Sequence, residues 1–333
     1  MNRLAKPLIV LIVLLAIWLV IRFTGHDTSR PHPEISLKVD LNPDKINRIE
    51  ISRGQEQIII LHGTTGWQVK TPAGIKPADS EQVLSALSNF NKVNTADIVS
   101  HNPEKHAEYK VDSAGGTRVR IYGQGDVALD DILIGKLGGF ESQQMAAQRG
   151  RVNERDFYTF MRRESSDQVF KVQGFFGGML GTDPEQWRDH NLMSFRPGQA
   201  WKLSFIHPDE RVVIEKDTSR VWVMLEPELG APGDSAEIKK IIGTLSTLRA
   251  SGFVDSTLAP QALGLDPPSF SVRVELKDST TYEVSVGNEL ENNLFYCRKP
   301  GDEQVYTIAA FRLDQIKKRA YALIEKGEGE KKE

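Results

Sequence analysis

The sequence predicts an α+β protein: an N-terminal transmembrane helix, then two tandem duplicated modules, each a mainly antiparallel sheet covered by a helix. Three observations predict it. One apolar run lies near the N-terminus, an ungapped internal match recurs at an offset of 155 residues, and short alternating strands surround one amphipathic helix in each copy.

The apolar run is Pro7 to Phe23, PLIVLIVLLAIWLVIRF, broken only by Arg22 near one end, where a long cationic side chain reaches the head groups. About 17 residues rising 1.5 Å each give roughly 25 Å, enough for a thin bilayer core. A helix apolar on every face, beside Arg3 and Lys6, is expected to insert rather than to pack in a soluble core. The following RFTGHDTSRPHPE has no small-x-small cleavage pattern and no lipid-accepting cysteine, so the run is read as an uncleaved signal anchor. Arg22 and Arg30 weaken the charge asymmetry across the run. The short N-terminus still favours a body outside the cytoplasm, on the inner membrane, crossing once.

A mean hydropathy of −0.36 excludes a polytopic membrane protein. The chain has 42 Lys and Arg against 45 Asp and Glu; without residues 1–23 the formal charge is −6, which disfavours nucleic acid and anionic lipid as partners. Cys297, the single cysteine, has no partner for an internal disulfide.

The internal match sets WQVKTPAGIKPADSEQVLSALSNFNKVNTADIV over WVMLEPELGAPGDSAEIKKIIGTLSTLRASGFV. Trp67 falls on Trp222, Pro72 on Pro227, Pro77 on Pro232 and Asp79 on Asp234. Each aspartate precedes Gln82 or Glu237 by three positions, the spacing of a capping box. Val83, Ala86, Leu87, Phe90 and Val93 lie over Ile238, Ile241, Ile242, Leu245 and Leu248, one apolar helix face of three turns or more. Upstream, Ile49 and Ile51 then Ile58 and Ile60 match Leu203 and Phe205 then Val212 and Ile214, with Gly54 and Pro208-Asp209 at the turns of two hairpins.

Downstream, YKVDSAGGTRVRIYG resembles LGLDPPSFSVRVELKD, and the runs ending at Gly135 and Gly287 read as strands closed by a glycine turn. VFKV at 169–172 and VYTI at 305–308 read as final strands, each before a helix-like segment. The offset there has shrunk to 136, which places an insertion in the first copy. The organisation is therefore a short cytoplasmic N-terminus at 1–6, the anchor at 7–23, a tether at 24–40, and a first module at 41–182 with an insertion near 138–167. A connector at 183–200, a second module at 201–324 and a disordered charged tail at 325–333 follow.

The paired W-x-V/M-x-x-P and P-A/G-D-S elements, LGLDPP at 263–268, VFKV, VYTI and WRDHNLMSF at 187–195 together resemble the DUF4340 family, uncharacterised bacterial membrane-anchored proteins. The resemblance covers nearly the whole chain after the anchor. It implies an extracytoplasmic accessory protein encoded beside ABC-2-type transporter subunits and gliding-motility-type auxiliary proteins, and it carries over no catalytic residue.

The residues themselves offer little chemistry. No serine sits in a G-x-S-x-G elbow, and the seven histidines are scattered without metal-ligand spacing, so no catalytic, metal or cofactor site is expected. GKLGG at 135–139 and GFFGGMLG at 174–181 lack a phosphate-loop pattern and read as turns. Phe175 and Phe176 among the glycines at 174–181 form either an apolar contact loop or a buried connection. Arg188 and Asp189 are candidate interaction residues. Trp67 and Trp222 are expected to fill the core.

These readings converge on a non-enzymatic accessory or binding protein with a protein partner in a transport or envelope complex. Two alternatives stay open: a glycan-acting envelope enzyme using carboxylates brought together between the modules, and a structural spacer.

Overall fold

The computed structural model describes residues 37, 39–93, 97–139, 157–255 and 258–325. The anchor at 7–23, most of the tether and of the insertion, and the tail after Glu325 lie outside the described residues. Among the described residues, no helix is long and apolar enough to cross a membrane.

Along the chain, β1 (Arg48–Arg53), β2 (Glu56–Gly63), β3 (Gly66–Thr71) and β4 (Gly74–Pro77) form an antiparallel meander. Ile49 pairs with Ile60 and Ile51 with Ile58, so the alternating isoleucines of β1 and β2 share the buried face. Helix α1 (Ser80–Asn91) follows, then β5 (Asp97–Ser100), the single turn α2 (His106–Tyr109), β6 (Thr117–Tyr122), β7 (Ala128–Gly138), β8 (Tyr158–Arg163) and β9 (Val169–Gln173). Strand β8 pairs antiparallel with β7 and β9, and β5 pairs antiparallel with β9.

The rest of the chain gives β10 (Ala200–Ile206), β11 (Arg211–Lys216), β12 (Trp222–Glu226), α3 (Ser235–Leu245), β13 (Gly252–Val254), β14 (Phe270–Leu276), β15 (Thr281–Leu290), β16 (Leu294–Arg298), β17 (Val305–Ala309) and α4 (Ala310–Ile316). Its strands make one antiparallel sheet in the order β12-β11-β10-β14-β15-β16-β17-β13. Ile238, Ile241, Ile242 and Leu245 of α3 pack on it with Leu203, Phe205, Val272 and Val274 in one continuous core. The fold is thus α+β, with mainly antiparallel strands in two sheets. The described residues fall into two compact units. The smaller draws on 37–42, 87–118 and 131–179, and the larger on 43–86, 119–130 and 180–325.

The element order of β1 to β9 recurs in β10 to β17, and so does the pairing register. Gln68 opposite Pro77 becomes the isolated bridge of Val223 with Pro232, at the offset of 155. Ile134 opposite Met161 becomes Val286 opposite Cys297, and Met161 opposite Phe170 becomes Cys297 opposite Tyr306. The offset is 152 at Ile134 and 136 from Met161 onward. The extra residues of the first half therefore enter between β7 and β8, a stretch mostly outside the described residues.

Three local expectations change. The capping boxes are half formed: Asp79 accepts the Gln82 N–H at 3.2 Å, and Asp234 those of Ala236 and Glu237 at 3.0 and 3.1 Å. The cap residues' own N–H groups bond to carbonyls elsewhere, so Gln82 and Glu237 have no such donor to return to. Gly135 and Gly287 lie inside β7 and β15, not at turns, each where the register shifts by a bulge. A helix follows β17, but only two 3-10 turns, Gly177–Met179 and Pro184–Trp187, follow β9 before the closure at Trp187.

Candidate functional site

A charged cavity in the larger unit depends on how the first half closes. The Asp79 N–H donates to the Trp187 carbonyl at 2.8 Å, the Asp189 N–H donates to the Pro77 carbonyl at 3.0 Å, and Ala78 bridges Arg188. The second half closes identically. The Asp234 N–H donates to Leu323 at 2.8 Å, the Glu325 N–H donates to Pro232 at 3.0 Å, and Gly233 bridges Ile324. Trp187, Arg188 and Asp189 thus occupy the positions of Leu323, Ile324 and Glu325.

The middle position breaks the equivalence, because one half places an isoleucine where the other places a guanidinium. Arg188 is about 1% exposed, a costly location for a charge unless its hydrogen bonds are met. Its Nη1 donates to both Glu185 carboxylate oxygens at 3.0 and 3.1 Å and lies 3.5 Å from Asp255. Nη2 donates to Gln304 Oε1 at 2.7 Å, the guanidinium lies 3.6 Å from the Phe253 ring centroid, and the buried Nε–H has no partner among the described residues.

Around Arg188 opens a cavity of about 330 Å³, reached by Lys76 and Pro77 from β4, Phe253 from β13, and Lys299, Gln304 and Tyr306 from the turn and strand leading into β17. Lys76 Nζ donates to the same Gln304 oxygen at 3.1 Å. The Gln304 Nε2 donates to the Val305 and Val254 carbonyls at 2.8 and 3.2 Å, which fixes the oxygen toward the two cations.

At the other wall, Tyr306 donates to Asp302 Oδ2 at 2.7 Å, Lys299 lies 3.4 Å from that oxygen, and the Gln304 N–H donates to Oδ1 at 2.9 Å. Burial, the largest single influence on Asp302, raises its pKa, but these donors together outweigh it and hold the carboxyl below its ordinary value. The Tyr306 hydroxyl is pushed far up by burial and by its bond to Asp302, so it stays a donor. A depressed folded-state pKa means that the ionised carboxylate contributes stability above the unfolded pKa and loses it as pH falls through the folded value. Asp302→Asn should therefore cost about 1 kcal/mol at neutral pH. The wild-type and variant urea midpoints should converge in strong acid, and a difference independent of pH would contradict this account.

The other residues singled out in the sequence lie apart from the cavity, with one exception. Trp67 and Trp222 are buried on β3 and β12; Trp67 stacks on His62 at 4.3 Å, and Lys216 lies 4.7 Å over Trp222. Pro72 and Pro227 fall in the turns after β3 and β12. Asp234 caps α3 through the Ala236 and Glu237 N–H groups, whereas the exception, Asp79, caps α1 and also accepts from Arg249 at 2.9 Å beside the Arg188 closure. Phe175 is exposed and Phe176 is buried, 6.1 Å from Phe90, with the Phe176 N–H and the Gly174 carbonyl both tied to the Thr159 hydroxyl. Cys297 is buried, and burial pushes its thiol up to about 12. Among the described residues, no group of three or more His, Cys, Asp or Glu is placed to hold a metal ion.

Arg188 and Asp189 are thus brought to the cavity; Lys299 and Gln304 lay in no motif, and Lys76, Phe253 and Tyr306 lay inside the repeat and VYTI runs without being singled out as site residues. The mismatch of Arg188 with Ile324 was available there, but only once the shortened offset was extended past β9.

These features define a class: an α+β protein whose halves share one element order and register, with a charged cavity at the closure of the first. The chain belongs to the DUF4340 family. The family's sequence model, described as a domain of unknown function, matches residues 67–266 and 222–328. No curated protein and no solved structure matches the chain.

Proposed function

We propose that this protein is a non-enzymatic, membrane-anchored accessory or binding protein. Its body arose by duplication of one α+β module and works outside the cytoplasm at an ABC-2-type transporter or a gliding-motility-like envelope system. The observation that carries the reading is the apolar run at 7–23, placed ahead of a body whose two halves share element order and register. The equivalence of Trp187 to Asp189 with Leu323 to Glu325 supports extending the first module through Asp189. A cavity in which Arg188 and Lys76 converge on one amide oxygen supports the binding reading.

Reporter fusions after residue 40 test the topology. Activity of a reporter that works only outside the cytoplasm is the expected result, and activity of a cytoplasmic reporter would sink the anchor orientation. Affinity capture of the full chain from gentle detergent extracts should recover a membrane transport component. Recovery of the chain alone argues against the partner.

A further inference from the structure

The guanidinium of Arg188 has two faces to its hydrogen-bonding fork. Glu185 and Asp255 take Nη1. The opposite edge, formed by Nε and Nη2, is the one that matches two carboxylate oxygens side by side. Among the described residues that edge holds only one neutral amide oxygen, Gln304 Oε1, on Nη2, while Nε, buried with the rest of the side chain, has no partner. The same amide oxygen also receives Lys76 Nζ. Asp255 lies 3.5 Å from Arg188 Nη1 and 3.9 Å from Lys76 Nζ, but on the Nε and Nη2 edge one uncharged oxygen between the two cations, beside an unmet buried donor, is half of a carboxylate site.

The second half of the chain shows what this position looks like without such a role. Ile324 occupies it, in the same bridge and between the same two backbone hydrogen bonds, and needs no polar partner. The backbone closure therefore does not require the arginine, and keeping one buried carries a desolvation cost that a ligand would help offset.

We propose that the cavity binds a carboxylate-bearing ligand, with its two oxygens on Arg188 Nε and Nη2 and one of them shared with Lys76, displacing the Gln304 amide oxygen. The cavity of about 330 Å³ suits a small carboxylic acid or one acidic residue of a peptide, and Phe253 supplies an apolar wall behind the guanidinium. Lys299, already beside Asp302 and donating to the Asn191 carbonyl at 3.3 Å, serves the opposite wall and not the carboxylate. The proposal rests on the binding-protein reading but not on the anchor or on any transporter.

The test uses the full chain in detergent micelles, labelled with ¹⁵N-arginine, and succinate as the probe, with succinamide and inorganic phosphate alongside. Succinate should bind saturably and shift the Arg188 Nε–H resonance, succinamide should do neither, and phosphate should bind more weakly. Arg188→Ile, which copies the second half, should weaken binding at least about thirtyfold while leaving the circular dichroism unchanged. Lys76→Ala, at a half-exposed edge-strand position, should weaken it about tenfold and does not endanger the fold. Gln304→Ala should tighten it. No saturable succinate binding, phosphate binding as tight as succinate, or unchanged affinity in Lys76→Ala would overturn the proposal. Capture of a partner by a chain that fails these titrations would leave the binding-protein reading standing and the carboxylate site refuted.

Discussion

Gly287→Ala is expected to destabilise the larger unit by about 3 kcal/mol, near the upper end of overpacking costs, because the new methyl meets the backbone of Leu263 and Gly264. A Cβ at Gly287 would stand 2.2 Å from the Leu263 carbonyl oxygen and 3.0 and 3.1 Å from the Gly264 carbonyl carbon and oxygen. Neither wall can retreat cheaply. The Leu263 carbonyl accepts the Asn288 N–H at 2.9 Å, and the Ser269 hydroxyl bonds the Val286 and Gly287 carbonyls at 3.0 Å each. Gly135 occupies the equivalent bulge, with the Tyr109 carbonyl oxygen at 2.2 Å, so Gly135→Ala should have a similar effect on the smaller unit. The control has the opposite sign. Gly243 lies within α3 with nothing within 4 Å of a new Cβ, so Gly243→Ala should add about 1 kcal/mol through helix propensity. Urea unfolding followed by circular dichroism reads all three, and a neutral Gly287→Ala would show that the loop does not press on the strand.

These glycines also show where the sequence stopped being legible. A glycine after ILI or VSV looks like a turn, because the sequence carries no trace of which distant carbonyl lies over the strand. The helix faces were legible, since Val83, Ala86, Leu87, Phe90 and Val93, like Ile238, Ile241, Ile242, Leu245 and Leu248, are all buried, and the 3.6-residue period reports that face directly. The first-half hairpin was legible for the same reason, Ile49, Ile51, Ile58 and Ile60 alternating with less buried residues in β1 and β2. Capping was half legible: aspartate at the N-cap is a local chemical preference, but the destination of the cap's own N–H depends on a segment about a hundred residues away.

The cavity was the least legible feature, because it is made of residues that are ordinary one at a time. Lys76 looks like an edge-strand lysine, and Gln304 like a turn residue. What distinguishes them is convergence on one buried guanidinium, and the repeat gives the clue through a difference rather than a likeness. Where two copies of a structure agree, the agreement reports folding. Where Arg188 replaces Ile324 inside an otherwise equal closure, folding alone does not account for it.

Trp222→Ala should be among the most damaging single changes in the chain, costing about 3 to 5 kcal/mol, the range for removing a buried aromatic side chain to alanine. Trp222 is buried in the core formed by the eight-stranded sheet and α3, alongside Ile238, Ile241 and Met224. The floor beneath it is fixed: the Gly233 N–H donates to the Trp222 carbonyl at 2.9 Å, and a Cβ at Gly233 would already lie 3.1 Å from Trp222 Cβ. The backbone therefore cannot collapse into the space the indole leaves, and the cavity term adds to the lost burial. Trp222→Phe keeps most of the apolar volume and should cost less than about 1.5 kcal/mol, as volume-conserving exchanges do. Because the variants remove a fluorophore, circular dichroism in urea is the suitable measurement. A Trp222→Ala cost as small as that of Trp222→Phe would mean that the indole serves recognition rather than the core.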